Sequence, residues 1–121
     1  MKDYTLKDSG KRQDYASGMK RDLQEGKPRF DLILPESQEL ETTLLYRWAI
    51  LMEKGIQKYG NRNWEKANSQ EELERFKASA FRHFIQAMSG KTDEDHFAAV
   101  LFNLNAVVYL TDKLCKKKKK T

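Results

Sequence analysis

The stretch FAAVLFNLNAVVYL, residues 97–110, constrains the fold more than any other part of the chain. Its apolar run is broken only by Asn103 and Asn105. A helix that is apolar nearly all round has to be packed on several sides. It therefore belongs at the centre of a helical bundle. Thr92 with Asp95 three residues on reads as a capping box, so the spacing predicts a central, most buried helix over about 92–114. The run is shorter than the roughly 20 residues a bilayer span needs, so no membrane partner is expected.

Two helices to pack against it are legible upstream. Leu40, Leu44, Leu45, Trp48, Leu51, Met52 and Ile56 recur at spacings of three and four, which predicts a helix over about 35–59. Pro35 suits its first position, Glu36 and Glu39 suit the positive end of its dipole, and Gly60 ends it. A second helix, about 69–89, opens on Ser69 with Glu72 three residues on. It carries Leu73, Phe76, Ala80, His83, Phe84 and Ala87 before Gly90. Short loops make neighbouring helices antiparallel. The expected fold is all-α: an antiparallel bundle of three main helices with an extended N-terminal segment, completed by oligomerisation. Residues 1–24 are polar and read as an arm with little structure of its own. Residues 26–35 read as extended, because Pro28 pushes Lys27 out of the helical region and RFDLIL resembles a short strand. One domain, 25–114, is expected, followed by a basic tail, 115–121.

With 121 residues the chain has room for one modest core. The net charge of +5 suggests nucleic acid until it is located. Lys116 to Lys120 supply five of the 23 basic residues, leaving 18 against 18 acidic ones. The body is neutral, and the tail reads as solvated and disordered, attracting nucleic acid only non-specifically. Cys115 is the single cysteine. That excludes an internal disulfide and a multi-cysteine zinc site, and fits a reducing compartment. The N-terminus lacks the apolar core of a signal peptide, so a cytoplasmic location is expected.

Antiparallel packing brings the start of the first helix, the end of the second and the start of the third together. That end collects Glu36, Glu39, Asp93, Asp95 and His96. The segment EGKPRFDLILPE, residues 25–36, runs into it with Lys27, Arg29 and Asp31. Arg82 and His83 lie about two turns up the second helix and Asn103 about two turns down the third. Each residue has two readings. Glu36 and Glu39, one turn apart, suit a hard divalent cation or simply the helix dipole. Asp95 is a metal ligand or part of a capping box. His83 is a core residue or a ligand. Asn103 bonds its neighbours or reads a base edge. Trp64, in KYGNRNW (58–64), stacks on a base or covers the core. No phosphate loop, dinucleotide fingerprint, nucleophile elbow or zinc spacing is present.

Taken in order, SGMKRD (17–22), GKPRFDLI (26–33), PE (35–36), KYGNRNWEK (58–66), RH (82–83) and DEDHFAAVLFN (93–103) resemble a phage and bacterial family. It is the dATP/dGTP diphosphohydrolase (N-terminal domain) family, near the MazG-like all-α nucleotide pyrophosphohydrolases. The matching pieces span roughly residues 17–110. The resemblance implies an α-helical oligomer that removes pyrophosphate from a purine deoxynucleoside triphosphate with a divalent metal, Mg²⁺ or else Mn²⁺ or Co²⁺. The family pattern marks Gly26, Lys27, Pro28, Arg29, Asp31, Glu36, Lys58, Tyr59, Gly60, Asn63, Trp64, Arg82, His83, His96 and Asn103. Joined to the chemistry above, it makes Glu36, Glu39, His83 and Asp95 the expected catalytic set. Glu36, Glu39, Asp93 and Asp95 are the expected metal ligands. Lys27, Arg29, Lys58, Tyr59, Asn63, Trp64, Arg82, His96 and Asn103 are expected to bind substrate. The chain departs from the pattern at Ala99, where many members carry a second histidine, and in lacking a second Glu-x-x-Asp pair on the third helix. The alternative function is a phage protein that binds or sequesters a nucleotide without hydrolysing it.

Geometry adds an expectation about assembly. A first helix of about 24 residues separates Glu36 from KYGNRNW by roughly 35 Å at 1.5 Å per residue. One site containing both then needs a second chain. A homodimer or dimer of dimers is expected, with Leu45, Trp48, Phe81 and Ile85 at the interface and Asn63 and Trp64 reaching the partner's site.

Overall fold

A computed structural model describes residues 10–119. Tyr4 and Leu6 of the arm and Lys120 of the tail lie outside them. The chain divides between Ile33 and Leu34 into two compact units.

In the first unit the arm is not featureless. Strands β1 (Arg12–Asp14) and β2 (Lys20–Asp22) pair antiparallel, with Gln13 opposite Arg21. The Gly18 amide donates to Tyr15 O at 2.9 Å and the Tyr15 amide to Met19 O at 3.0 Å. Gly18 sits at φ 91°, the positive-φ residue that closes a three-residue hairpin loop. Arg12 and Asp22 pair across the strands at 2.7 Å. The expected strand over RFDLIL is instead a 3₁₀ turn, Phe30–Ile33. Arg29 folds back onto Asp31, with Nη2 to Oδ2 at 2.6 Å, and that local pair favours a turn over an extended chain.

The second unit holds the helices. Helix α1 is Leu44–Tyr59, not 35–59. A 3₁₀ turn, Leu40–Thr42, precedes it. The reason is Thr43. Its hydroxyl accepts the Tyr46 amide at 3.2 Å and donates to Leu40 O at 2.6 Å, and Thr43 is 2% exposed. This buried N-cap starts the helix two turns after Pro35. Helix α2, Gln70–Met88, opens as expected: Ser69 Oγ accepts the Glu72 amide at 3.2 Å, and Glu72 Oε1 accepts from the Asn68 amide at 3.0 Å. Helix α3, His96–Lys119, begins later than 92 because Asp95, not Thr92, is its cap, with Oδ1 accepting the Ala98 amide at 3.1 Å. It also runs on through Lys119, so the described part of the tail is helical. Lysines favour helix and suit its negative end, and Lys116 pairs with Asp112 at 2.9 Å.

Helix α3 is the central element: α1, α2 and the 3₁₀ turn Asn63–Lys66 all pack on it, whereas α1 and α2 make no close backbone approach to each other. Ala98, Ala106 and Leu110 are fully buried there. By length and composition α3 could cross a membrane, yet it serves here as the helix the others share. Helix α3 is the most buried of the three, as expected, with six buried residues against four in α2 and none in α1, but two helices and a turn cannot cover it all round, so Leu104 and Val108 remain exposed.

Candidate functional site

Because α1 and α2 each lean on α3 with no close backbone approach to one another, a cleft of about 810 Å³ opens between them. Helices α1 and α3 run in the same direction. Arg47, in the first turn of α1, meets Asp95 at the start of α3, while the turn that follows α1 packs further along α3. The cleft therefore has two chemically different ends.

At the helix-start end, Arg47 grips Asp95 with two prongs, Nε to Oδ2 at 2.8 Å and Nη2 to Oδ1 at 2.6 Å. The guanidinium holds the Asp95 carboxyl below the usual range, helped by the Ala98 amide. Beside it runs a chain of contacts. Arg82 Nη2 lies 3.4 Å from His83 Nε2, His83 Nδ1 2.9 Å from His96 Nδ1, and His96 Nε2 2.8 Å from Asp93 Oδ1. One set of neutral tautomers satisfies all three: Arg82 donates to His83, His83 to His96, and His96 to Asp93. Burial, and then the Arg82 charge, push His83 below its ordinary value, which fits a ring that accepts from a guanidinium. The His96 hydrogen bond lowers Asp93. Asp93, Glu94 and His96 each offer a ligand atom within 4.8 Å of the others, the one such group of three or more among the described residues.

At the other end the chain turns sharply. Gly60 stands at φ 92° and Arg62 at φ 57°. The turn is pinned by Lys113, whose Nζ donates to Glu65 O at 2.9 Å and Ala67 O at 2.8 Å. Trp64 lies edge-on to Tyr109 at 5.1 Å and to Phe102 at 6.1 Å. Lys58, Arg62 and Lys66 line this end, with Lys54 a turn back along α1 and the Lys58 ammonium 5.1 Å from the Tyr59 ring centre. One end of the cleft thus carries carboxylates and a histidine, the other a group of cations.

Residues 17–120 match the family model described as dATP/dGTP diphosphohydrolase, N-terminal. The chain belongs to this family. Among curated proteins and solved structures no match was found.

Against this family's expected site, the structure brings together part of what the sequence suggested. Lys58, Tyr59, Asn63, Trp64, His83, Asp95 and Asn103 all line the one cleft. His96 is buried beneath it, 1% exposed and bonded to His83. Arg82 reaches the cleft only through His83, and Asp93 only through His96. Trp64 covers the α3 aromatics as well as facing the cleft. Asn103 bonds its own helix, Nδ2 to Ala99 O at 2.8 Å. Glu36 and Glu39 are not on a helix face and do not line the cleft: Glu36 lies before the 3₁₀ turn and Glu39 caps it without a side-chain bond. The expected four-carboxylate set is therefore not assembled in one chain, because Thr43 rather than Pro35 starts α1. The KYGNRNW loop and His83 share a cleft within one chain, so Asn63 and Trp64 line a site of their own chain. Lys27, Arg29 and Asp31 belong to the first unit.

Sequence reasoning missed Arg47 and Gly55, and left Glu94 out of the expected metal ligands. Arg47 had a readable signal. It falls between Leu44 and Leu51 on the apolar stripe of α1, and a cation there needs a partner. Glu94 had none beyond its neighbours. It lines the cleft with no side-chain hydrogen bond or ion pair to the described residues.

Proposed function

We propose that the chain hydrolyses a purine deoxynucleoside triphosphate, dGTP or dATP, to the monophosphate and pyrophosphate with a divalent metal. The observation that carries this reading is the polarity of the cleft inside a region matched by a diphosphohydrolase family. A triphosphate needs cations for its oxygens, a dry wall for its base and carboxylates for a metal. The volume lies within the usual range for small-molecule sites.

The donor set fits a hard cation in part. Asp93 and Glu94 offer two carboxylates, enough for Mg²⁺ when phosphates supply further oxygens. Asp95 does not fit, because both its oxygens face the Arg47 guanidinium. Bound there, the metal would neutralise phosphate charge and make water more acidic. The chain's own residues do the rest. Lys54, Lys58 and Lys66 attract the phosphates. His96 orients Asp93 through its Nε2 hydrogen bond. His83, kept uncharged by burial and by Arg82, donates through Nδ1 to His96 and so fixes the ring that orients Asp93. Water adds across the bond between the first and second phosphates, and pyrophosphate leaves. Lys27 and Arg29 are further phosphate-binding candidates on charge alone.

One observation favours a second reading, binding without hydrolysis. Asp93 is engaged by His96, Asp95 by Arg47 and Glu72 by the α2 cap, so Glu94 alone among the cleft carboxylates stands uncommitted. Self-association into a homodimer or dimer of dimers belongs to the same proposal. Leu45, Phe81 and Ile85 are exposed as expected for an interface, though Trp48 is half-buried.

The test is pyrophosphate release from each deoxynucleoside triphosphate with Mg²⁺, Mn²⁺ or Co²⁺. Release from dGTP or dATP is expected. Tight binding without release supports sequestration. Neither binding nor release removes both readings.

A further inference from the structure

Gly55 sits in the interior of α1 and lines the cleft. A glycine there costs stability relative to alanine, because it orders a flexible backbone and lacks a side chain to pack. Nothing in the fold asks for it. Its φ is not in the left-handed region, and a Cβ built on it meets no atom within 4 Å. The added methyl would stand in open space, and that space is the cleft.

What lies opposite gives the space a use. Gly55 and Asn103 are each eight residues beyond the Arg47–Asp95 pair. At 1.5 Å per residue both are about 12 Å along helices running the same way, and so roughly level. Asn103 is 5% exposed. One of its amide protons is taken by Ala99 O, while its Oδ1 accepts no hydrogen bond from the described residues. A buried amide with spare capacity facing a cleft asks for a polar partner. Phe76 and Phe102, edge-on at 6.2 Å, line the same middle section. The cations lie toward the turn and the carboxylates toward the helix starts. The middle is thus the apolar part, closed by aromatics, with one amide and a missing side chain.

We infer that the purine ring of the nucleotide lies against the bare backbone face of Gly55, with its polar edge toward Asn103, making Gly55 a specificity-determining residue. This rests on the nucleotide reading of the cleft and names where the base sits in it. A flat ring can approach a glycine backbone more closely than any other residue allows. The placement sends the triphosphate toward the helix starts, where Asp93 and Glu94 would hold a metal against it, and leaves the lysines at the turn to draw the polyanion into the cleft.

The test separates folding from binding. Gly55→Ala should raise the melting temperature by a few degrees, as helix propensity requires. The same variant should bind dGTP and dATP roughly tenfold more weakly, the cost of one methyl group in a fitted pocket. Calorimetric titration without metal reads the affinity, and inorganic tripolyphosphate serves as a competitor that has no base. Competition by tripolyphosphate should be the same in wild type and variant. Asn103→Ala should narrow the difference in affinity between dGTP and dATP. Wild-type nucleotide affinity in the more stable Gly55→Ala protein would overturn the placement while leaving the proposed function standing. So would an equal loss for nucleotide and tripolyphosphate, which would put phosphate at Gly55. Wild-type protein that binds no nucleotide either without metal or with Mg²⁺ would overturn both.

Discussion

Two arginine–aspartate pairs in this protein have nearly the same geometry and different consequences. Arg29 meets Asp31 with Nη2 to Oδ2 at 2.6 Å and Nε to Oδ1 at 3.3 Å. Arg47 meets Asp95 at 2.6 and 2.8 Å. The first pair joins residues two apart in an exposed segment, and so stiffens only its own turn. The second joins residues 48 apart. It ties the first turn of α1 to the first residue before α3, and the Asp95 oxygen that accepts from Arg47 also caps α3 through the Ala98 amide. A forked ion pair takes its worth from what it connects. Exposed pairs contribute little, because water and salt compete and two side chains must be held still. A partly shielded pair that also caps a helix carries two roles in one carboxylate.

The largest difference between the two should come from removing the shared carboxylate. Asp95→Ala is expected to lower the unfolding free energy by about 2 kcal/mol, from roughly 1 for the lost cap and up to about 1 for the ion pair. Urea denaturation reads it, and turnover should fall with it as the cleft wall loosens. A loss well under 1 kcal/mol would place Asp95 alongside Asp31 as a local contact. Acid titration comes next. Asp95 has a depressed folded-state pKa, so its stabilisation is present above the ordinary carboxylate value of about 3.9 and is lost as pH falls below it. His83 is also depressed, so the fold prefers its neutral ring. That preference has no cost above the ordinary histidine value of about 6.5, and weakens the fold as pH drops below it. Two steps of stability loss are therefore expected. Asp95→Asn should shrink the lower step, which Asp93 and Glu72 share, and leave the upper one, while Asp31→Asn, which removes an exposed local pair, should change the profile least. The smallest effect should be that of Arg29→Ala, with a melting temperature indistinguishable from wild type by calorimetry. Any loss of turnover in that variant then reports on substrate rather than on folding.

The second and third helices could be read from the chain because their signals are local. Ser69 and Glu72 sit three residues apart and cap α2 as their spacing predicts. The α3 stripe needs no partner to be recognised as apolar. The start of α1 could not be read the same way, because two local signals competed. Pro35 and the acids after it look like a helix start. Thr43 won because its hydroxyl could both accept and donate in a buried position. Half of the site was legible for a related reason. KYGNRNW, His83 and Asn103 carry chemistry in their own side chains. The roles of Arg47 and Gly55 are defined only by what lies across from them.

The sequence by itself determined that the chain is helical, where the second helix is capped, that a sharp turn follows the first, and which family it belongs to. These follow from periodicity, capping residues and motif order, all of which act within a few residues or along a fixed register. The tertiary structure alone decided that α1 and α2 would each lean on α3 with no close backbone approach to one another, and so leave a cleft. It also decided that Arg47 would hold both oxygens of Asp95, and that Glu36 and Glu39 would stand apart from the cleft. Those outcomes depend on contacts between residues tens of positions apart, and no local pattern fixes which of several carboxylates a distant cation will find.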